Sequence, residues 1–200
     1  MTEDDRAERA RTRDFFAVRA GGWDAKFPDD GPRYAAAIAE LAPGEGAFVV
    51  DAGCGTGRAL PLLREAVGSR GTVLGVDLTP EMLAVASAHR AAAVLVQADC
   101  ARLPLRDAVV DLVFGAGLIS HLPGPAEGLR ELARVTRPGG RLALYHPIGR
   151  AALAARHGRA LTPDDLRAEP NLRPLLAANG WRAVSYTDTD ERFLAVAERV

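Results

Sequence analysis

The apolar positions of this chain follow two alternating periods. From residue 47 onward, short continuous runs of aliphatic residues, AFVVDA (47–52), TVLGVDL (72–78), AVLVQAD (93–99), VVDLVFGAG (109–117) and RLALYHP (141–147), predict strands. Between them lie RALPLLREAV (58–67), PEMLAVASAHR (80–90) and PAEGLRELARV (125–135), patterned as helices, with Thr79 as N-cap and Pro80 at the first position of the second. Strands without polar alternation are covered on both faces, so the order predicts an α/β fold built on a doubly wound, mostly parallel sheet with helices on either side.

The two ends differ from this middle. Residues 1 to 46 hold a charged opening, the aromatic segment FFAVRAGGWDAKF and a helix, PRYAAAIAEL, with Tyr34, Ile38 and Leu41 on one stripe. In the tail, Thr162, Pro163, Asp164 and Asp165 form a helix-start signature, and the helical segment stops at Asn179 and Gly180. WRAVSYT (181–187) and RFLAVAERV (192–200) then follow, separated only by DTDE, a gap suited to a hairpin and too short for a parallel crossover. Seven strands result, one near the sheet's end running antiparallel.

Two hundred residues with 48% hydrophobic content fit one domain: an N-terminal helical cap (1–46), a core (47–147), and C-terminal helices with the hairpin (148–200). A net charge of -1, with arginines spread along the chain and Lys26 the only lysine, supplies no general attraction to nucleic acid or to an anionic membrane. The opening MTEDDRAERARTRD lacks the apolar core of a secretory signal and no run reaches membrane-spanning length, so a cytoplasmic protein, a monomer or homodimer, is expected. Cys54 and Cys100 have neither zinc-ligand nor disulfide-framework spacing, and no metal site is expected.

The chemistry concentrates where the strands end. Gly53, Gly55 and Gly57 follow the first strand in VVDAGCGTGR, where missing side chains let a ligand approach the backbone, although several nucleotide folds use such glycines. Asp77 ends the second strand, 20 residues after Gly57, where an acid can accept the hydroxyl protons of a ribose. Asp99 ends the third, where it can accept a hydrogen bond from an adenine amine, with Leu78 and Leu103 placed to flank the ring. Asp51, inside the glycine motif, would repel a pyrophosphate and welcome an ammonium or sulfonium group. A phosphate-loop reading fails because no GK[ST] follows the glycines.

At these residues the sequence resembles the class I S-adenosylmethionine-dependent methyltransferases, in their small-molecule branch. The motifs VVDAGCGTGR, GVDLTPEML, QADCARLPL, VVDLVFGAG and RVTRPGGRLAL stand in family order over about residues 47 to 147. The resemblance implies S-adenosylmethionine as cofactor and S-adenosylhomocysteine as product. It also implies that Asp51, Gly53 and Gly55 surround the methionine part, with Gly57 in the same cofactor-binding turn, that Asp77 holds the ribose and Asp99 with the Cys100 and Ala101 backbone the adenine, beside Leu78, and that Gly115 and Ala116 approach the methionine ammonium.

Methyl transfer needs alignment and exclusion of water, and a base only when the acceptor must lose a proton. His121 and His146, after the fourth and fifth strands, are the candidate bases, each competing with a loop or capping role. Phe15, Phe16, Trp23, Phe27 and Tyr34 are candidate walls of the acceptor pocket, with core packing as the competing reading. GAGLIS replaces the NPPY-like motif of amide and nucleobase methylation, and a single lysine cannot supply a Lys-Asp-Lys-Glu set, so a small-molecule acceptor is expected. The competing functions are a cofactor-binding scaffold without methyl transfer and an NAD-dependent oxidoreductase, the latter opposed by Asp51 and the terminal hairpin.

Overall fold

The structure, a computed structural model, describes residues 3–26 and 29–200. Seven strands form one sheet in the order β3-β2-β1-β4-β5-β7-β6. They are β1 (Phe48–Ala52), β2 (Thr72–Asp77), β3 (Val94–Gln97), β4 (Val110–Ala116), β5 (Thr136–His146), β6 (Trp181–Asp188) and β7 (Phe193–Arg199). The pairings from β3 through β5 are parallel, while β7 runs antiparallel to both β5 and β6. The strand order reverses between β1 and β4, which opens a crevice beyond their carboxyl ends.

Helices α1 (Glu3–Ala17), α2 (Gly31–Leu41), α3 (Leu60–Val67), α4 (Pro80–Ala86), α5 (Pro125–Val135), α6 (Arg150–Arg156) and α7 (Glu169–Ala177) complete the fold. The side-chain alternation of the strands divides the core. Val49, Phe114, Ala143 and Tyr145 pack on α2 and α3 with Tyr34, Ile38 and Leu63, whereas Val50, Val113, Leu142 and Leu144 pack against α5 and α7 with Leu129, Leu132 and Leu172. The second cluster includes Trp181, whose indole N–H donates to the Leu129 carbonyl at 2.9 Å, so burial of this large ring leaves no polar group unsatisfied.

Several expectations need correction. The charged opening is helix α1, invisible to a hydrophobic-period reading because its residues are mostly polar. The Thr162 to Asp165 signature does not start a helix: Asp165 accepts the Arg167 amide at 2.9 Å in a turn, and α7 begins at Glu169. Helix α6 precedes it, with His157 at its C-cap, among the C-terminal helices expected over 148–200. Thr79 is the N-cap of α4 as expected, with Pro80 following it, but it makes no side-chain capping bond, and its amide donates to Asp77 at 2.8 Å. β5 begins at Thr136, ahead of the 141–147 run expected for it, with a register shift between Val110 and Leu112. Among the described residues, no helix is long and apolar enough to cross a membrane.

Candidate active site

β1 ends at Ala52 and the chain turns through Gly53, Cys54, Gly55, Thr56 and Gly57 into α3. At Gly55 the φ of +55° disfavours other residues, and a Cβ there would meet nothing within 4 Å, so its missing side chain leaves open space above the turn. Gly57 differs: a Cβ would lie 3.0 to 3.2 Å from Leu60, His89 and Ala86. Its smallness admits close packing of α3 against Ala86 and His89. The bare faces of Gly53 and Gly115 both look toward Leu118.

The amides of this turn are engaged internally. Cys54 donates to Val76 O at 2.9 Å, Gly55 to Asp77 Oδ2 at 2.9 Å, and Gly57 to Cys54 O at 2.9 Å. A pyrophosphate cradle needs outward amides, and these three do not supply them. What the turn presents is acid. Asp51 is 2% exposed, and among the described residues its Oδ2 has no hydrogen-bond partner. Burial, with the Asp77 carboxylate nearby, pushes its carboxyl up to about 8. Asp77 is also raised by burial, opposed by the amides of Thr79 and Gly55. Burial raises the Cys54 thiol too, and carries that of Cys100 up to about 12, so neither is a thiolate nucleophile near neutral pH.

At the end of β3, Asp99 is held on both sides. Its Oδ1 accepts the Ala101 amide at 2.9 Å, and its Oδ2 accepts the Nε–H of Arg9 from α1. Arg9 also reaches Glu127 at 3.4 Å. Cys100 and Ala101 are buried beside this pair, and Leu78 is half-buried at the end of β2. Leu103 belongs to the core cluster instead of an open ligand wall.

The ends of β4 and β5 carry the two histidines. His121 follows Leu118–Ser120 and meets the Phe15 ring at 6.4 Å and the Phe16 ring at 5.0 Å between centroids. Protein crowding and then the Arg167 guanidinium hold it below the ordinary histidine range. His146 Nδ1 lies 2.8 Å from the Ile148 carbonyl and 3.1 Å from the Ile148 amide, so Ile148 holds it in either tautomer and leaves Nε2 for other work. Burial, outweighing that backbone contact, lowers it to about 4. Phe16 also packs on Trp23 at 5.5 Å, while Tyr34 is buried under α2 against Tyr145 at 5.1 Å. Phe27 lies outside the described residues.

Residues 50–144 match the methyltransferase-domain family. A malonyl-[acyl-carrier protein] O-methyltransferase of Serratia marcescens is 43% identical over 98 residues, 49% of this chain and 36% of that protein. An arsenite methyltransferase of Halobacterium salinarum is 30% identical over 174 residues, 78% of this chain and 42% of that protein. The crystal structure of a SAM-dependent methyltransferase from Aquifex aeolicus superposes with a TM-score of 0.70 at 26% identity, covering 84% of this chain and 89% of that one. Residues 50–144 thus carry a methyltransferase domain, and the chain is similar in sequence and fold to class I S-adenosylmethionine-dependent methyltransferases. It spans less than half the length of those two curated relatives.

A class I methyltransferase binds a nucleoside bearing positive charge, and the residues present fit that group. Asp51 offers a buried acceptor oxygen with no donor, and Gly55 leaves space in front of the turn. The N-terminal segment is tied across the same edge by contacts that no local sequence pattern announces. Thr56 Oγ1 donates to Asp24 at 2.7 Å, Arg58 pairs with the buried Asp30 at 3.3 Å, and Arg33 donates to Pro147 O at 2.9 Å. Arg9 reaches Asp99 across 90 positions of sequence, among many arginines that look alike until the chain folds. Only the Asp-rich strand ends carried a signal.

Proposed function

We propose that the protein transfers a methyl group from S-adenosylmethionine to a small-molecule acceptor by in-line displacement. The observation that carries this reading is the buried, donor-less Asp51 oxygen beside Asp77, a strongly acidic recess that favours a cation over a pyrophosphate. When bound, the cofactor supplies a methyl group on a positively charged sulfur, open to displacement by an acceptor's lone pair.

In this reading Asp51 and the backbone around Gly53, Gly55, Gly115 and Ala116 hold the methionine end. Asp77 holds the ribose, and Asp99, Cys100 and Ala101 the adenine, with Leu78 flanking the ring. Residues 1–46 cap the core of 47–147, with Phe16, Trp23 and Tyr34 bounding the acceptor side and keeping water out. His121 takes a proton from acceptors that must lose one. Ring packing orients it, and it is neutral near pH 7 because its basicity is lowered. His146 Nε2 is the second candidate, better suited to orienting an acceptor than to accepting its proton, since a group lowered to about 4 is a weak base.

The test is incubation with S-adenosylmethionine and a panel of hydroxyl, carboxyl, amine and thiol acceptors, reading S-adenosylhomocysteine release. Acceptor-dependent release supports methyl transfer. Tight cofactor binding without release across the panel would favour the scaffold reading.

A further inference from the structure

The carboxyl groups at the ends of β1 and β2 are neighbours treated unequally by the backbone. Asp77 receives two amide donors, Gly55 at 2.9 Å on Oδ2 and Thr79 at 2.8 Å on Oδ1. Asp51 is more deeply buried, and its Oδ2 has none. The titratable groups that face Asp51 are Asp77 from β2, Cys54 from the glycine turn, Tyr34 from α2 and Cys100 beyond β3, and none of these brings a positive charge. Arg58, 5.4 Å from the Tyr34 ring, is held to Asp24 at 3.7 Å and to Asp30 at 3.3 Å. Two adjacent buried carboxylates without a counter-ion do not both stay ionised. The amide donors favour the charge on Asp77, so the proton resides on Asp51.

We propose that binding of the positively charged methionine end of the cofactor expels this proton, so that ligand charge is exchanged for a proton in the Asp51–Asp77 pair. The inference rests on the proposed cofactor assignment. The balance is simple: the O–H bond of Asp51 breaks, its electron pair stays on the carboxylate, and the proton passes to buffer while the ligand's cation becomes the counter-charge. The pair thereby reads charge as well as shape. A neutral nucleoside that fills only the adenosine end expels nothing, and affinity for the charged ligand rises with pH until Asp51 is ionised before binding, which the raised value of about 8 places above neutrality.

Calorimetry of the whole chain at pH 7 tests this, with S-adenosylhomocysteine and adenosine titrated in phosphate, imidazole and Tris, whose ionisation heats differ. The slope of observed enthalpy against buffer ionisation enthalpy counts protons. Wild type should release close to one proton more than Asp51→Asn with S-adenosylhomocysteine, a difference in which protons taken up by the ligand's own amine cancel. Adenosine should release none. Repeated at pH 9.5, where Asp51 is already ionised before binding, the difference between wild type and Asp51→Asn should fall towards zero. Equal counts in wild type and Asp51→Asn, or binding at pH 7 with no release, would overturn the proton exchange while leaving the cofactor assignment intact. Failure of S-adenosylhomocysteine to bind at all would overturn the cofactor assignment, and this inference with it.

Discussion

Asp77 and Asp99 end neighbouring strands with the same side chain, yet the fold completes them from opposite directions. Asp77 is satisfied locally, by amides of the glycine turn and of Thr79, within two strands of itself. Asp99 takes one amide from Ala101 and the guanidinium of Arg9 from a helix at the other end of the chain. The first arrangement makes a carboxylate part of the scaffold. The second makes one depend on a segment that could be moved or removed. Identical motifs at successive strand ends can therefore differ in how tightly they are built into the protein.

The sharpest way to break the comparison is Asp77→Ala. Two charge-assisted hydrogen bonds disappear and the glycine turn loses its tie to β2, so S-adenosylhomocysteine affinity should fall by about 100-fold or more and stability by roughly 2–3 kcal/mol. Calorimetry and urea denaturation read the two losses. Unchanged affinity would remove Asp77 from the ribose site.

Asp51→Asn should separate function from stability. A carboxyl raised above its unfolded value binds more protons in the folded protein, so its ionisation lowers stability as pH rises from about 4 towards about 8. The Asn variant should therefore be more stable without ligand at pH 8, by on the order of 1 kcal/mol or more, and bind S-adenosylhomocysteine roughly 10-fold or more weakly. Melting curves at pH 5 and pH 8 check the sign, because the advantage should shrink at the lower pH.

The histidines give a third contrast. His121→Ala should reduce turnover of proton-losing acceptors by about 100-fold while leaving cofactor affinity unchanged, and His146→Ala should have a smaller effect. The acid limb of the wild-type rate profile should lie below the ordinary histidine value, since His121 is lowered. Equal turnover in both variants would leave alignment as the mechanism.

Arg9→Ala carries the smallest expected effect. The pair is partly shielded, so the variant should lose about 1 kcal/mol of stability. Adenosine should bind as well or a few-fold better once Asp99 has given up its arginine. A large loss of adenosine affinity would mean that Arg9 helps to build the site.

These contrasts also mark what the sequence made legible. The strands, the antiparallel hairpin and the three acids were readable because aliphatic runs and turn residues carry local information about where a strand ends. Helix α1 was not, because a mostly polar helix leaves little hydrophobic period to read. Thr162 to Asp165 misled because an Asx turn and a helix start use the same residues, and the side chain of Asp165 serves Arg150 and Arg167 instead. The packing of Gly57 on Ala86 and His89 was equally hidden, because a glycine required for packing looks in sequence like any other glycine of the turn. Arg9, Asp24 and Asp30 reach the strand ends only through the tertiary fold.

The central claim is that this strand edge accepts an adenosine carrying positive charge and refuses a dinucleotide. Calorimetry of the wild-type protein with S-adenosylmethionine and with NAD, under the same conditions, tests it most directly. The acidic recess at Asp51 and Asp77 predicts saturable binding of S-adenosylmethionine and none of NAD; NAD bound as tightly as S-adenosylmethionine, or in its place, would contradict it.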